Sequence, residues 1–141
     1  MRDKNKKRTG ELTQRLQEAA EDIDPVLEEM FSEEAPFLSE PVAHHLATGG
    51  KRIRPALCLL SCEALGGKRE KAKYFAAAVE TLHNMFLVHD DLEDGDKVRR
   101  NEPTVWAKYG VGNAVNVGDY MLGKAYEAVL ETPVTPELRV R

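Results

Sequence analysis

Residues 80–100 read ETLHNMFLVHDDLEDGDKVRR, and the fold of the chain turns on how this stretch is read. The residues before and within its first half, Ala77, Ala78, Val79, Leu82, Met85, Phe86, Leu87 and Val88, leave no broad polar face. That pattern predicts a buried helix rather than an amphipathic surface one. One narrow polar stripe crosses the apolar surround: Glu80, His83, Asp90 or Asp91, and Asp94. Spacings of three, four and seven put such residues on one side of a helix. Carboxylates in apolar surroundings are costly unless they are paired or bind a metal, because desolvation penalises the charged form. A row of them here therefore needs a cation. The alternative is a solvated acidic helix end followed by a basic turn, the usual meaning of mixed charge.

Ligand type narrows the cation. Oxygen donors with no cysteine nearby suit Mg²⁺, Mn²⁺ or Ca²⁺ rather than zinc. A calcium loop counted from Asp90 puts Gly95 correctly at its sixth position, but Leu92 and Asn101 stand where ligands are required, and that reading fails. Mg²⁺ is usually held by one or two carboxylates together with substrate phosphates. Asp90 and Asp94, followed by Arg99 and Arg100, fit a metal-bridged phosphate site, since arginine offers phosphate a two-pronged donor.

A second anion signal lies upstream, in GGKRIRP at residues 49–55. The two glycines free the backbone, and Lys51, Arg52 and Arg54 then flank the start of a helix with Pro55 near its beginning. Helix N-termini and basic side chains both favour anions. The P-loop spacing is absent, however, and a solvated basic loop is an equal reading.

The remainder of the chain bounds the fold. Its 141 residues are one domain's worth, with 42% hydrophobic and 31% charged residues, ordinary for a globular protein. A net charge of −4 argues against a nucleic-acid surface. No apolar run approaches the roughly eighteen residues of a membrane span. The first ten residues are basic, lead into no apolar run, and read as a flexible solvated tail rather than a secretory signal. Residues 11–33 carry apolar side chains at helical spacing, with a bend expected near Pro25. Further helices are expected from Pro41, over residues 56–65 and 71–89 around the Gly66–Gly67 stop, and from about Asn113. His44 and His45 read as surface or core-edge residues without chemistry, and Asp119 as a possible supporting acid. Cys58 and Cys62 lack a histidine at zinc-site spacing and read as small buried side chains in a reducing compartment, with cytoplasm the default. GVGNAVNVG at residues 110–118 lacks the spacing of a dinucleotide loop. Thr135, Pro136 and Glu137 read as a helix start, with the chain ending about one turn later, so a truncated chain or N-terminal fragment is expected. No stretch alternates with period two. The expected fold is all-α.

GGKRIRPAL, then ETLHNMFLVHDDLEDGDKVRRNEPTVW, then NAVNVGDYMLG, in that order, resemble the front half of a trans-isoprenyl diphosphate synthase of the polyprenyl synthetase family. The resemblance implies an antiparallel helical bundle of the isoprenoid synthase type around a central cavity, here residues 11–141 as the N-terminal part of one domain, usually a homodimer. It implies Mg²⁺-dependent condensation of an allylic diphosphate with isopentenyl diphosphate. Under it, Lys51 and Arg54 would hold the isopentenyl diphosphate with His83 near them, and Asp90 and Asp94 would bind Mg²⁺. Asp91 would support those two, Arg99 would contact the allylic diphosphate and Arg100 the isopentenyl diphosphate.

Phe86, one helical turn before Asp90, would floor the growing tail with Met85 beside it, and a C15 to C20 product is expected. The family's second aspartate-rich motif does not occur in these 141 residues, so activity of this chain alone is doubtful. Trp106 stands where a histidine is often found in the family and is expected to be a minor departure. The alternatives are a synthase-like non-catalytic subunit or inactive fragment that binds diphosphate and pairs with a catalytic partner, or a cyclase sharing the first aspartate motif. A helical scaffold with no ligand is the blandest alternative.

Overall fold

The computed structural model describes residues 2–32 and 35–135, with side chains from Gly10 onward. Along the described chain run α1 (Arg2–Glu21), α2 (Asp24–Met30), α3 (Ser39–Ala47), α4 (Ile53–Ala64), α5 (Arg69–Glu93), the hairpin strands β1 (Val98–Arg99) and β2 (Glu102–Pro103), α6 (Val105–Tyr109) and α7 (Val111–Glu131). The all-α expectation holds, with one small hairpin added.

The decisive stretch forms the last half of α5, a helix of 25 residues and so roughly 37 Å long. Two cores meet on it. Its first half packs Ala76 and Ala77 against Ala19, Ile23, Val26, Leu27 and Leu59 of α1, α2 and α4 and the turn between α1 and α2. Its second half packs Met85 and Val88 against Val42, Val105, Val117 and Met121 of α3, α6 and α7. Burial of each larger apolar side chain contributes about 1.5–3 kcal/mol, which is what fixes these short helices on α5. Close approach of α7 depends on Gly118, where an added Cβ would land on the imidazole of His89.

Several boundaries differ from the sequence reading. Pro25 does not bend one long helix. It sits in the first turn of α2, where its missing N–H costs nothing, and the helix is interrupted by a turn between Glu21 and Asp24. Residues 2–10, read as a flexible tail, continue α1. Nothing in RDKNKKRTG blocks a helix, and only Gly10 carries a large propensity cost. Cys58 and Cys62 are free and half-buried, and burial pushes the Cys58 thiol up, with Cys62 adding to it. The helix start read at residues 135–141 lies, apart from Thr135, outside the described residues. Among the described residues no helix is long and apolar enough to cross a membrane.

The hairpin had no clear signature. Val98 faces Pro103 and Arg99 faces Glu102 across an antiparallel pair, with Arg100 (φ 53) and Asn101 (φ 68) both left-handed between them. Two left-handed residues in a two-residue loop are the mark of a type I′ turn. Asparagine tolerates this conformation, whereas arginine adopts it at a cost of about 1 kcal/mol or more. The hairpin is tied down at its base. The Asp96 N–H donates to the Asp91 carbonyl at 2.9 Å, and the Asp96 carbonyl accepts from Thr104 Oγ1 at 2.8 Å and from Trp106 Nε1 at 2.7 Å. Trp106, expected to be minor, is one of the two side chains that anchor it.

Candidate functional site

The single polar stripe expected on α5 is two stripes. Glu80, Asn84 and Asp91 are buried, at 4%, 1% and 1% exposure. His83 is half-buried, while Asp90 and Asp94 are exposed. Helical geometry accounts for the split: Glu80, Asn84 and Asp91 follow one another at spacings of four and seven, and His83, Asp90 and Asp94 at seven and four, on a neighbouring line.

The buried stripe is satisfied by the protein. Glu80 Oε1 accepts from Arg52 Nη1 at 3.0 Å and from Asn84 Nδ2 at 3.3 Å. Asn84 Nδ2 also donates to the Glu80 carbonyl at 2.8 Å, which turns Asn84 Oδ1 toward His45 Nε2, 3.1 Å away. The His45 ring therefore carries its proton on Nε2. Burial pushes its pKa down to about 4, against the opposing hydrogen bond it donates to Asn84 and helped by the charges of Arg100 and Arg99. His45 is a core residue, and His44 meets the Pro103 carbonyl at 2.8 Å. Neither needs a chemical role.

Asp91 belongs to this buried stripe rather than to the open pair it was expected to support. Its Oδ1 accepts from Arg99 Nε at 2.8 Å and Nη2 at 2.7 Å. That hydrogen bond holds the Arg99 guanidinium above its ordinary pKa, so Arg99 is a fixed cation. Among the described residues, Asp91 Oδ2 is buried without a hydrogen-bond partner.

The open stripe presents acids at the wrong end of a helix. Asp90, Glu93 and Asp94 stand at the C-terminus of α5, where the macrodipole is negative, and the last turn holds no basic residue. Aspartates placed against a dipole and left in solvent are an affinity for cations not spent on folding. Asp90 and Asp94, one turn apart, fit an ion that takes two carboxylates and completes its shell with water and phosphate. A cage made by protein alone is absent among the described residues, where no three His, Cys, Asp or Glu side chains converge.

Cations gather on the same side. Arg54 Nη1 lies 3.1 Å from His83 Nε2. Arginine can only donate, so His83 accepts through Nε2 and is neutral. Burial first, and then the Arg54 charge, hold its pKa below the usual histidine value, with Arg100 and Arg99 adding to the effect. Arg100 reaches Thr48 Oγ1 at 3.5 Å. Its Nη1 and that of Arg52 would each lie 3.2 Å from a Cβ placed on Gly50, so the glycine leaves room for both guanidinium groups. Lys51 is exposed on the same loop. The consecutive Arg99 and Arg100 thus point to different partners, Arg99 to the aspartate end of α5 and Arg100 to the glycine loop, as the tight turn between strands dictates.

Below the acids, the open side of α5 becomes apolar: Phe86, Leu82 and Phe75 are 53%, 36% and 45% exposed. A groove of about 210 Å³ between α5 and α7 continues it, lined by Phe75, Val79, Leu82, Leu122 and Tyr126 among others. Met85 does not share this face. It is 6% exposed and turned into the second core, so any effect it has on a bound tail passes through packing. Asp119 is exposed on α7. Thr48 and Asn84 were not singled out from sequence, while Arg52 figured only as one of a run of bases and Trp106 only as a minor departure.

Comparison with known proteins agrees with this geometry. The family model for polyprenyl synthetase matches residues 35–140. A geranylgeranyl pyrophosphate synthase of Geoglobus acetivorans is 39% identical over 127 residues, covering 89% of this chain and 40% of that protein. A (2E,6E)-farnesyl diphosphate synthase of Mycobacterium bovis is 40% identical over 124 residues, with 80% and 34% covered. The crystal structure of a geranylgeranyl pyrophosphate synthetase from Pyrococcus horikoshii superposes with a TM-score of 0.88 at 42% identity, covering 95% of this chain and 41% of that one. The chain spans 34–41% of the length of these three. With its motifs, its helical architecture and these likenesses in agreement, the chain belongs to the polyprenyl synthetase family.

Proposed function

We propose that this chain forms one wall of a trans-prenyltransferase site that joins an allylic diphosphate to isopentenyl diphosphate, head to tail, giving a prenyl diphosphate of C15 to C20. The observation that carries the reading is the open side of α5, where an apolar floor runs up to a charged end bearing Asp90 and Asp94, with Arg54 alongside at His83. A diphosphate with a hydrocarbon tail has that sequence of properties.

Lys51, Arg54 and Arg100 hold the isopentenyl diphosphate, with neutral His83 braced against Arg54. Asp90 and Asp94 would hold Mg²⁺, and Arg99, fixed by Asp91, contacts the allylic diphosphate. Mg²⁺ held there would neutralise charge on the leaving pyrophosphate. The allylic C–O bond breaks, the isopentenyl double bond attacks the resulting carbon to form the new C–C bond, and a proton is lost to the pyrophosphate. Arg99 and the cationic cluster stabilise negative charge where it develops, as preorganised donors do best. Phe86, Leu82 and Phe75 keep water from the cation and receive the tail, with Phe86 limiting its length. We place the enzyme in the cytoplasm as a homodimer, for which Val115, Tyr126 and Leu130, 40–68% exposed on α7, offer an apolar contact.

The test is turnover of isotope-labelled isopentenyl diphosphate with geranyl or farnesyl diphosphate and Mg²⁺. It is run on this chain and on a chimera in which it continues into the remaining length of the Geoglobus acetivorans synthase. Longer prenyl diphosphates from the chimera, lost on Asp90→Ala, are the expected result. An inactive chimera that still binds both diphosphates would favour a non-catalytic binding subunit and reject the proposal.

A further inference from the structure

Arg52 stands between Lys51 and Arg54 yet takes no part in the cationic cluster as they do. Its backbone is left-handed, with φ 46 and ψ 32, a conformation arginine seldom adopts without compensation. Its side chain is 10% exposed. Nε donates to Asp24 Oδ1 at 3.0 Å and Nη1 to Glu80 Oε1 at 3.0 Å. The bridge therefore runs from the first turn of α2, beneath the glycine loop, to the middle of α5. Asn84 and His45 extend it to α3. A merely solvated basic loop would neither bury a guanidinium nor strain its backbone. Glu80, 5% exposed in its side chain, would be an uncompensated buried charge without this partner.

We propose that Arg52 is a positioning residue, and that the Asp24–Arg52–Glu80 bridge sets the loop so that Lys51 and Arg54 present their charges to one diphosphate. Arg52 itself does not touch the ligand. Drawn onto Glu80, its guanidinium also lies close to Gly50, as the Arg100 guanidinium does. The inference rests on the reading of Lys51 and Arg54 as isopentenyl diphosphate ligands. It carries a consequence that a simple charge cluster does not: Glu80, buried on a different element, controls affinity for a ligand it cannot reach.

Calorimetric titration with isopentenyl diphosphate tests this on the 141-residue chain, the Lys51→Ala control, Arg52→Lys, Arg52→Gln and Glu80→Gln. Each is held well below its own melting temperature. Arg52→Gln and Glu80→Gln should each weaken binding roughly tenfold or more, since displacements of about an ångström carry penalties of that order. Arg52→Lys should fall between them and the parent, because an ammonium cannot span both carboxylates. The Arg52→Gln, Glu80→Gln double variant should bind no more weakly than either single one, as expected of one coupled unit. A purely structural bridge would lower melting temperatures and leave affinity unmoved. If Lys51→Ala weakens binding while the Arg52 and Glu80 variants match the parent, the positioning role is overturned and the diphosphate reading stands. Equal binding by the parent and Lys51→Ala, or no binding by either, overturns the diphosphate reading itself. Should Glu80→Gln not fold, the order of parent, lysine and glutamine at position 52 still decides the matter.

Discussion

Glu80 and Asp94 are carboxylates on the same helix and four turns apart, yet their surroundings are opposites. Glu80 is 4% exposed, gripped by a guanidinium and an amide, whereas Asp94 stands in solvent at the negative end of α5. Asp90 and Asp91 repeat the contrast between adjacent residues, one open and one 1% exposed against Arg99. A carboxylate whose partner the protein supplies is part of the architecture. One that faces solvent against a helix dipole, with nothing basic in its turn, adds nothing to the fold and leaves its charge open to a cation. The two stripes of α5 divide along that line.

Substitutions on the two stripes should therefore separate stability from activity. The largest effect is expected on the open stripe: Asp90→Asn in the chimeric synthase should lower turnover by about 10²–10³-fold, in line with losing one charge-stabilising contact. Its urea midpoint should stay level or rise slightly, since an acid is removed from a negative helix end. On the buried stripe, Glu80→Ala leaves Arg52 with only Asp24 and should cost about 3 kcal/mol of unfolding free energy, read from urea denaturation. A loss below about 0.5 kcal/mol there would erase the distinction between the stripes.

His45, at the end of the buried network, gives a pH signature of similar size. Its pKa is about 4 when folded and about 6.5 when unfolded, so the unfolded chain binds an extra proton between those values. The contribution is fully present above about pH 6.5 and declines as pH falls toward 4, by about 3 kcal/mol in all. The charges of Arg100 and Arg99 resist its protonation. Urea midpoints across that window should fall less steeply for His45→Gln than for the parent. Phe86→Ala should have the smallest energetic effect, within about 1 kcal/mol for a half-exposed side chain. Chromatography should nonetheless find longer prenyl diphosphates from the chimera. Unchanged product length would remove Phe86 from the floor.

Much of this was legible because α5 obeys simple rules. Its apolar run predicts the buried helix it forms, and the bases at residues 51–54 do flank a helix start. What the sequence did not separate was one stripe from two, since residues at spacings of three and four lie on neighbouring lines, and only packing decides which line faces inward. Met85 and Phe86 were paired for the same reason and turn opposite ways. The hairpin was hidden because arginine at a left-handed turn position is a poor signal for any turn. Arg52 looked like one more basic residue in a loop, since its partners Asp24 and Glu80 are 28 residues away on either side.

Titration with inorganic pyrophosphate, with and without Mg²⁺, tests the division most directly when applied to the parent chain and to the Asp90→Asn, Asp94→Asn double variant. Mg²⁺ should tighten pyrophosphate binding by roughly tenfold or more in the parent, about 1.4 kcal/mol, and have no effect in the double variant, whose melting temperature should be unchanged or slightly higher. A double variant that keeps the Mg²⁺ effect, or that loses its fold instead, would contradict the assignment of the open stripe to the ligand.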